Sequence, residues 1–89
     1  MKKVRALISG RVQGVWFRAS TLEKAVEYGV HGTVRNMVDG RVELVAEGED
    51  DRVDRLLAWA GNGPPMAAVD RVDVETLAPD GEFTEFRIC

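Results

Sequence analysis

The chain has one cysteine, Cys89, and one histidine, His31. A lone thiol closes no internal disulfide and an isolated imidazole makes no metal site, so disulfide scaffolds and zinc centres are both excluded. Cytoplasmic residence is the default reading of such cysteine usage. Long apolar runs are missing as well. None is long enough for a membrane span, and Met1-Lys2-Lys3 followed by Val4-Arg5-Ala6-Leu7-Ile8 lacks the apolar stretch of a signal peptide. Positive charge is not in excess. The formal charge is −3, from 12 Lys and Arg against 15 Asp and Glu, whereas broad affinity for nucleic acid needs a basic face. Any anion site must therefore be local, made of a few donors at one spot.

What is present suits a small globular domain. The 89 residues suffice for one domain, spanning 1–89, and not for two. At 45% apolar residues a hydrophobic core can form. Val4 to Gly10 reads as a strand, and Gly10-Arg11-Val12-Gln13-Gly14 as a turn flanked by glycines. Phe17 to Tyr28 reads as a helix closed by Gly29. Val30 to Val38 and Arg41 to Glu47 read as a hairpin around Asp39-Gly40. A three-residue loop, Val38-Asp39-Gly40, pairs Val34 with Leu44 and Asn36 with Val42. That register puts Val30, Val34, Val42, Leu44 and Ala46 on one face, and register follows the buried face.

Glu49 to Ala60 reads as a second helix, with acids at its start and a stripe of Val53, Leu56, Leu57 and Ala60. Val69 to Leu77 and Phe83 to Ile88 complete the strands. The βαββαβ order predicts an α+β, ferredoxin-like sandwich, an antiparallel sheet with both helices on one face. In that topology the first two strands run parallel with the third between them. The turn after Gly10 and the strand end at Asn36 then share one sheet edge.

Three features at that edge point to chemistry. A glycine-flanked turn entering a helix exposes backbone N–H groups and the positive end of the helix dipole, which attract phosphate. Glycine spacing alone fits an ordinary strand-to-helix turn equally well. Arg18 falls on the same helical face as Leu22 and Ala25, where an arginine is unusual without an anionic partner. It either snorkels to the rim or binds phosphate, whose oxygens match a guanidinium fork. Asn36 shares the core-side face with Val34, and asparagine is a poor strand former and costly to bury without partners. It is either a turn-forming residue beside Asp39-Gly40 or a group that holds a water or a substrate oxygen.

Gly10-Arg11-Val12-Gln13-Gly14-Val15-Trp16-Phe17-Arg18 resembles the signature of the acylphosphatase family, and Gly32-Thr33-Val34-Arg35-Asn36 resembles its second motif. The likeness covers essentially the whole chain, including Gly63-Pro64-Pro65, Val69-Asp70-Arg71-Val72 and the Phe86-Arg87-Ile88 ending. Thr33, where the family often has an aromatic, and the terminal Cys89 are departures, and neither touches the matched pair. The resemblance implies hydrolysis of small acyl phosphates to carboxylate and inorganic phosphate by a monomer. It implies that Arg18 binds phosphate, that Asn36 positions the attacking water, and that the backbone amides of Val12, Gln13, Gly14 and Val15 complete the cradle.

No cofactor and no metal are expected. Asp50, Asp51 and Asp54 match no calcium loop and read as dipole partners of the second helix. His31, at the far end of its strand from Asn36, reads as a surface residue. Ser20 lacks a base and reads, with Thr21, as support for the cradle, and Trp16 and Trp59 read as packing residues. Two rival readings are an RNA-binding ferredoxin-like module, which would need an aromatic and basic sheet face, and a non-catalytic acylphosphatase-like domain of a larger protein. The chain's ending after one domain favours a free enzyme over the latter.

Overall fold

The computed structural model describes every residue from Met1 to Cys89. Its elements are β1 (Lys2–Arg11), α1 (Phe17–Tyr28), β2 (His31–Asn36), β3 (Val42–Gly48), α2 (Asp50–Ala60), β4 (Ala68–Leu77) and β5 (Phe86–Ile88). The strands form one sheet in the order β4-β1-β3-β2-β5. β4, β1, β3 and β2 pair antiparallel, as anticipated. β5 joins the edge of β2 in parallel, so the five-stranded sheet is mixed.

One face of the sheet carries the core. Strand residues alternate sides, so Val4, Ala6 and Ile8 of β1 and Val42, Leu44 and Ala46 of β3 are fully buried together. Val53, Leu56 and Ala60 of α2 and Phe17 and Ala25 of α1 join the same cluster, with Leu57 only partly buried against it. The β2–β3 register is the one favoured by the buried face: Val34 pairs Leu44 and Asn36 pairs Val42. Its loop is closed by the Met37 N–H donating to the Arg41 carbonyl at 2.8 Å.

Two readings need correcting. The buried stripe of α1 is Phe17, Thr21 and Ala25, while Arg18 and Leu22 lie half-buried on its flank. Phe17 takes the inward position because its ring packs on Trp59 of α2, with centroids 5.6 Å apart. The last strand is shorter than expected, since residues 83–85 belong to a connection and not to β5. β4 and β5 occupy opposite edges, so the connection from 78 to 85 must cross the sheet on the side away from the helices.

Ionic contacts hold that strap down. Lys3 Nζ donates to Asp80 Oδ1 at 3.0 Å and to Glu82 Oε2 at 3.2 Å, and lies 5.1 Å from the centroid of the Phe83 ring. Glu47 Oε2 accepts from the backbone N–H of Asp80 at 2.8 Å and of Gly81 at 3.1 Å. Lys3 and Glu47 are buried, and buried charges persist only when paired.

The Lys3 hydrogen bond holds the Asp80 carboxyl below its ordinary pKa. Arg35 foremost, with Arg5, does the same for Glu43 on the neighbouring strand, against the opposing effect of its burial. A carboxyl with a depressed folded-state pKa stabilises the fold above its unfolded pKa and loses that contribution as pH falls. Stability is therefore expected to decline as pH drops below about 5, where unperturbed carboxyls begin to titrate. Urea midpoints against pH would check this. In Lys3→Met the acid decline should be shallower, though not abolished, since Glu43 keeps its partners. An equally steep decline in that variant would remove Lys3 from the account.

Candidate active site

β1 and β2 run in the same direction on either side of β3, so both end at one edge of the sheet. A cleft of about 360 Å³ opens there. The turn after β1 supplies Val12, Gly14 and Trp16 to its lining, α1 supplies Phe17, Arg18 and Ala19, and Asn36 and Ile88 come from the ends of β2 and β5. Arg18 and Asn36, 18 positions apart in sequence, thus share one cavity with the glycine-flanked turn.

The turn's path begins with a bulge. The β1–β4 register shifts between Ser9 and Gly10. Gly10 sits at φ 122°, and a Cβ there would come within 2.3 Å of the Ala68 carbonyl oxygen. Its role is thus to let the strand bend against β4. Gly14 is different. It sits at φ 74° with open space around the position of a Cβ, so the backbone itself faces the cleft. Val12 and Val15 are 1% and 4% exposed and pin the turn to the core.

Gly14 and Trp16 both have positive φ, and Val15 between them does not. Alternation of hand along consecutive residues turns successive N–H groups toward one side, the geometry of an anion-binding nest. None of the backbone N–H groups from Val12 to Trp16 donates to a backbone or side-chain acceptor in the protein. The first turn of α1 holds no acidic residue, and no side chain caps it. The positive end of its dipole is therefore left unneutralised.

Arg18 stands out among the cations. Of the 12 Lys and Arg side chains, Arg11, Arg18, Arg52 and Arg55 form no ion pair with a carboxylate. The other three are exposed, whereas Arg18 is half-buried. Asn36 is its counterpart among the neutral groups. Its Oδ1 is the one buried side-chain nitrogen or oxygen without a hydrogen-bond partner. Both residues line the cleft, Arg18 with a donor fork that has no acceptor and Asn36 with a buried oxygen that has no donor.

Gln13 links the two halves of the site, and its side chain was not anticipated in that role. Its Nε2 donates to the carbonyls of Met37 at 2.8 Å and Arg41 at 3.0 Å. The turn is thereby fastened to the mouth of the hairpin immediately after Asn36. Only a long amide side chain in a loop of small and apolar residues hinted at this in the sequence. Ile88 was also missed as a lining residue, because the parallel addition of β5 beside Val34 was not foreseen.

The remaining candidates, Trp16 excepted, lie elsewhere. His31 is exposed at the opposite end of β2. Asp50 pairs with the N-terminal amine and Asp54 with Lys2, and no three His, Cys, Asp or Glu side chains gather into a group that could hold a metal ion. Thr21 donates to the Phe17 carbonyl at 2.7 Å and belongs to the helix, not the cleft. Trp59 packs on Phe17 as expected. Trp16 does not pack: it is 75% exposed at the cleft mouth.

The Gln13 link is measurable. Gln13→Met keeps the length of the side chain and removes both hydrogen bonds, so a loss of about 1–2 kcal/mol is expected from urea unfolding. Gln13→Glu should lose more at neutral pH, since a carboxylate would face two carbonyl oxygens. Unchanged midpoints in both variants would mean the link carries no weight.

Comparison with known proteins gives a consistent result. The acylphosphatase family model matches residues 4–88. An acylphosphatase of Methylococcus capsulatus is 59% identical over 88 residues, covering 99% of this chain and 96% of the relative. The crystal structure of an acylphosphatase from Bacillus subtilis superposes with a TM-score of 0.96 at 32% identity, covering 100% of this chain and 99% of the other. An acylphosphatase structure from Coxiella burnetii gives 0.93 at 41% identity, covering 99% and 92%. With the same likeness in sequence and in fold along nearly its whole length, the chain belongs to the acylphosphatase family.

Proposed function

We propose that the protein hydrolyses the carboxyl–phosphate bond of small acyl phosphates without a metal ion, as a single-domain, cytoplasmic monomer. The observation that carries this reading is the meeting of two unsatisfied groups in one cleft: the unpaired, half-buried Arg18 and the orphaned Oδ1 of Asn36. Arg18 and the backbone amides of Val12, Gln13, Gly14 and Val15 receive the phosphoryl oxygens. A guanidinium fork bonds two of them in parallel, and the helix dipole adds to the attraction. The Asn36 amide holds a water for attack on phosphorus.

The chemistry asks for little more. Water forms the new P–O bond as the bond from phosphorus to the acyl oxygen breaks, and that electron pair leaves on a carboxylate. The conjugate acid of such a leaving group has a pKa of roughly 4 to 5, so it needs no proton at neutral pH. A phosphoryl oxygen takes the proton from the water. Phosphoryl transfer of this kind depends on positioning and charge stabilisation, and the cleft offers groups for both. The RNA-binding alternative loses support on the other side of the sheet, where residues 78–85 and the buried Glu43 and Glu47 occupy the face such modules use.

Phosphate release from benzoyl, acetyl and carbamoyl phosphate in excess chelator tests the reading directly. Release that vanished with EDTA and returned with magnesium would sink the metal-free mechanism. Arg18→Lys keeps the charge and loses the fork, so kcat/KM should fall at least about a hundredfold, or roughly 2.7 kcal/mol. Inhibition by inorganic phosphate should weaken alongside. A folded Arg18→Lys enzyme of near wild-type activity would refute the bidentate role. Asn36→Ala should lower kcat severely while leaving phosphate inhibition nearly intact, because an interaction made mainly in the transition state appears in kcat. Equal loss of phosphate affinity would move Asn36 into the cradle.

A further inference from the structure

We infer that Trp16 and Ile88 form the wall that receives the acyl group, which makes acyl phosphates with a flat apolar acyl chain the preferred substrates. This rests on the acyl phosphate reading above and adds the substrate's other half to it. The first observation is backbone strain. Trp16 is the one non-glycine residue with positive φ, at 67°. A bulky side chain rarely adopts that conformation, and such outliers gather at functional sites. Glycine would sit there without strain, so the indole must contribute something that outweighs it.

Packing is not that contribution. Trp16 is 75% exposed, in contrast to Trp59, which is half-buried and packs its ring at a tilt on Phe17. Hydrogen bonding is not the reason either, since the indole N–H has no partner in the protein. What remains is its position: the residue lines the cleft two residues before Arg18. Ile88 faces the same cleft from the end of β5 and is 42% exposed. Both are large apolar side chains open to water where a ligand would cover them.

The size and lining of the cleft agree. The cleft has a volume of about 360 Å³. A phosphate group has only five non-hydrogen atoms, so space is left beyond it. Val12 and Phe17, both nearly fully buried, form an apolar floor. Apolar walls with a few convergent polar groups are the usual make-up of a small-molecule site. The donors gather at the turn and helix start, and Trp16 and Ile88 stand where the acyl tail would extend. Acetyl and carbamoyl groups are too small or too polar to gain from them. A benzoyl ring can lie against the indole in an offset or edge-on contact.

The test compares kcat/KM for benzoyl and acetyl phosphate in the wild type, Trp16→Gly, Trp16→Phe and Ile88→Ala, with thermal melts and inorganic phosphate inhibition for each. The benzoyl-to-acetyl ratio is expected to fall at least fivefold in Trp16→Gly, chiefly through a higher KM for benzoyl phosphate. It should fall by a smaller factor in Ile88→Ala and be largely kept in Trp16→Phe. Melting temperature and phosphate inhibition should change little in Trp16→Gly, because glycine is unstrained at this φ and the lost side chain was exposed. A ratio unchanged in both truncations, or an equal loss on both substrates, would overturn the wall while leaving acyl phosphate hydrolysis standing. If the wild type released phosphate from neither substrate, the hydrolase reading itself would fail and this inference with it.

Discussion

The turn from Val12 to Trp16 has to leave its backbone amides without protein acceptors and still keep one shape. Most loops fix their shape by satisfying those amides internally, and this one does not. Its shape comes from its surroundings. The bulge at Gly10 sets the departure angle from β1, and Val12 and Val15 plug into the core on either side of the exposed Gly14. Gln13 reaches across to the hairpin with two hydrogen bonds. Beyond the turn, Phe17 anchors the first residue of α1 against Trp59. Apart from the bulge, each contact is made by a side chain, so the backbone stays free to face the cleft. Preorganisation of this kind matters for a site that works through fixed dipoles, because donors already in place need no rearrangement when charge develops.

The two sides of the sheet contribute differently to the same edge. The helical side is apolar and positions α1, hence Arg18. The other side is ionic and positions the strap, hence β5 and Ile88. Lys3 and Asp80 are 77 positions apart in sequence, and their contact helps hold the strap that leads to the last strand. The Gly32 N–H then donates to the Glu85 carbonyl at 3.0 Å and the Cys89 N–H to the Val34 carbonyl at 2.8 Å, which fastens the chain's end alongside β2. An ionic network remote from the cleft thereby shapes one of its walls.

How much of this was legible in the sequence depends on how local its cause is. The bounds of α1 follow from residues within a few positions, and Phe17 and Tyr28 are its observed ends. The hairpin register follows from one alternation, because a slip of one residue would expose Val34 and Leu44. Asn36 was legible as a misfit on a core-side strand face, whereas Arg18 was singled out on a core-facing line that Phe17, Thr21 and Ala25 in fact occupy; the cleft is lined by both. The length of β5 was not legible, since Phe83 to Ile88 alternates like a strand and only the distant Lys3 and Glu47 draw residues 78–85 across the sheet. The inward line of α1 was misjudged for a related reason: spacing gives the period of a helix, but its rotation is set by what it packs on, here Trp59. The exposure of Trp16 was hidden too, because a left-handed backbone at a tryptophan leaves no mark in the sequence.

Electrostatics explains how a protein of net charge −3 can present a site for an anion. Eight of the 12 basic side chains are neutralised close by through carboxylate partners. The fields of such pairs cancel over short distances, and beyond about 8–10 Å ionic strength screens what is left. The two helices then differ in a telling way. α2 begins with Asp50 and Asp51, which offset the positive end of its dipole, while α1 begins with no acid at all. Of the two helix starts, only the one beside Arg18 retains its positive potential, and only there do unbonded backbone amides lie within the same cavity. On the proposed reading, selectivity for an anion comes from where neutralising groups are withheld, which requires no basic surface and leaves the rest of the molecule free to carry its acidic excess.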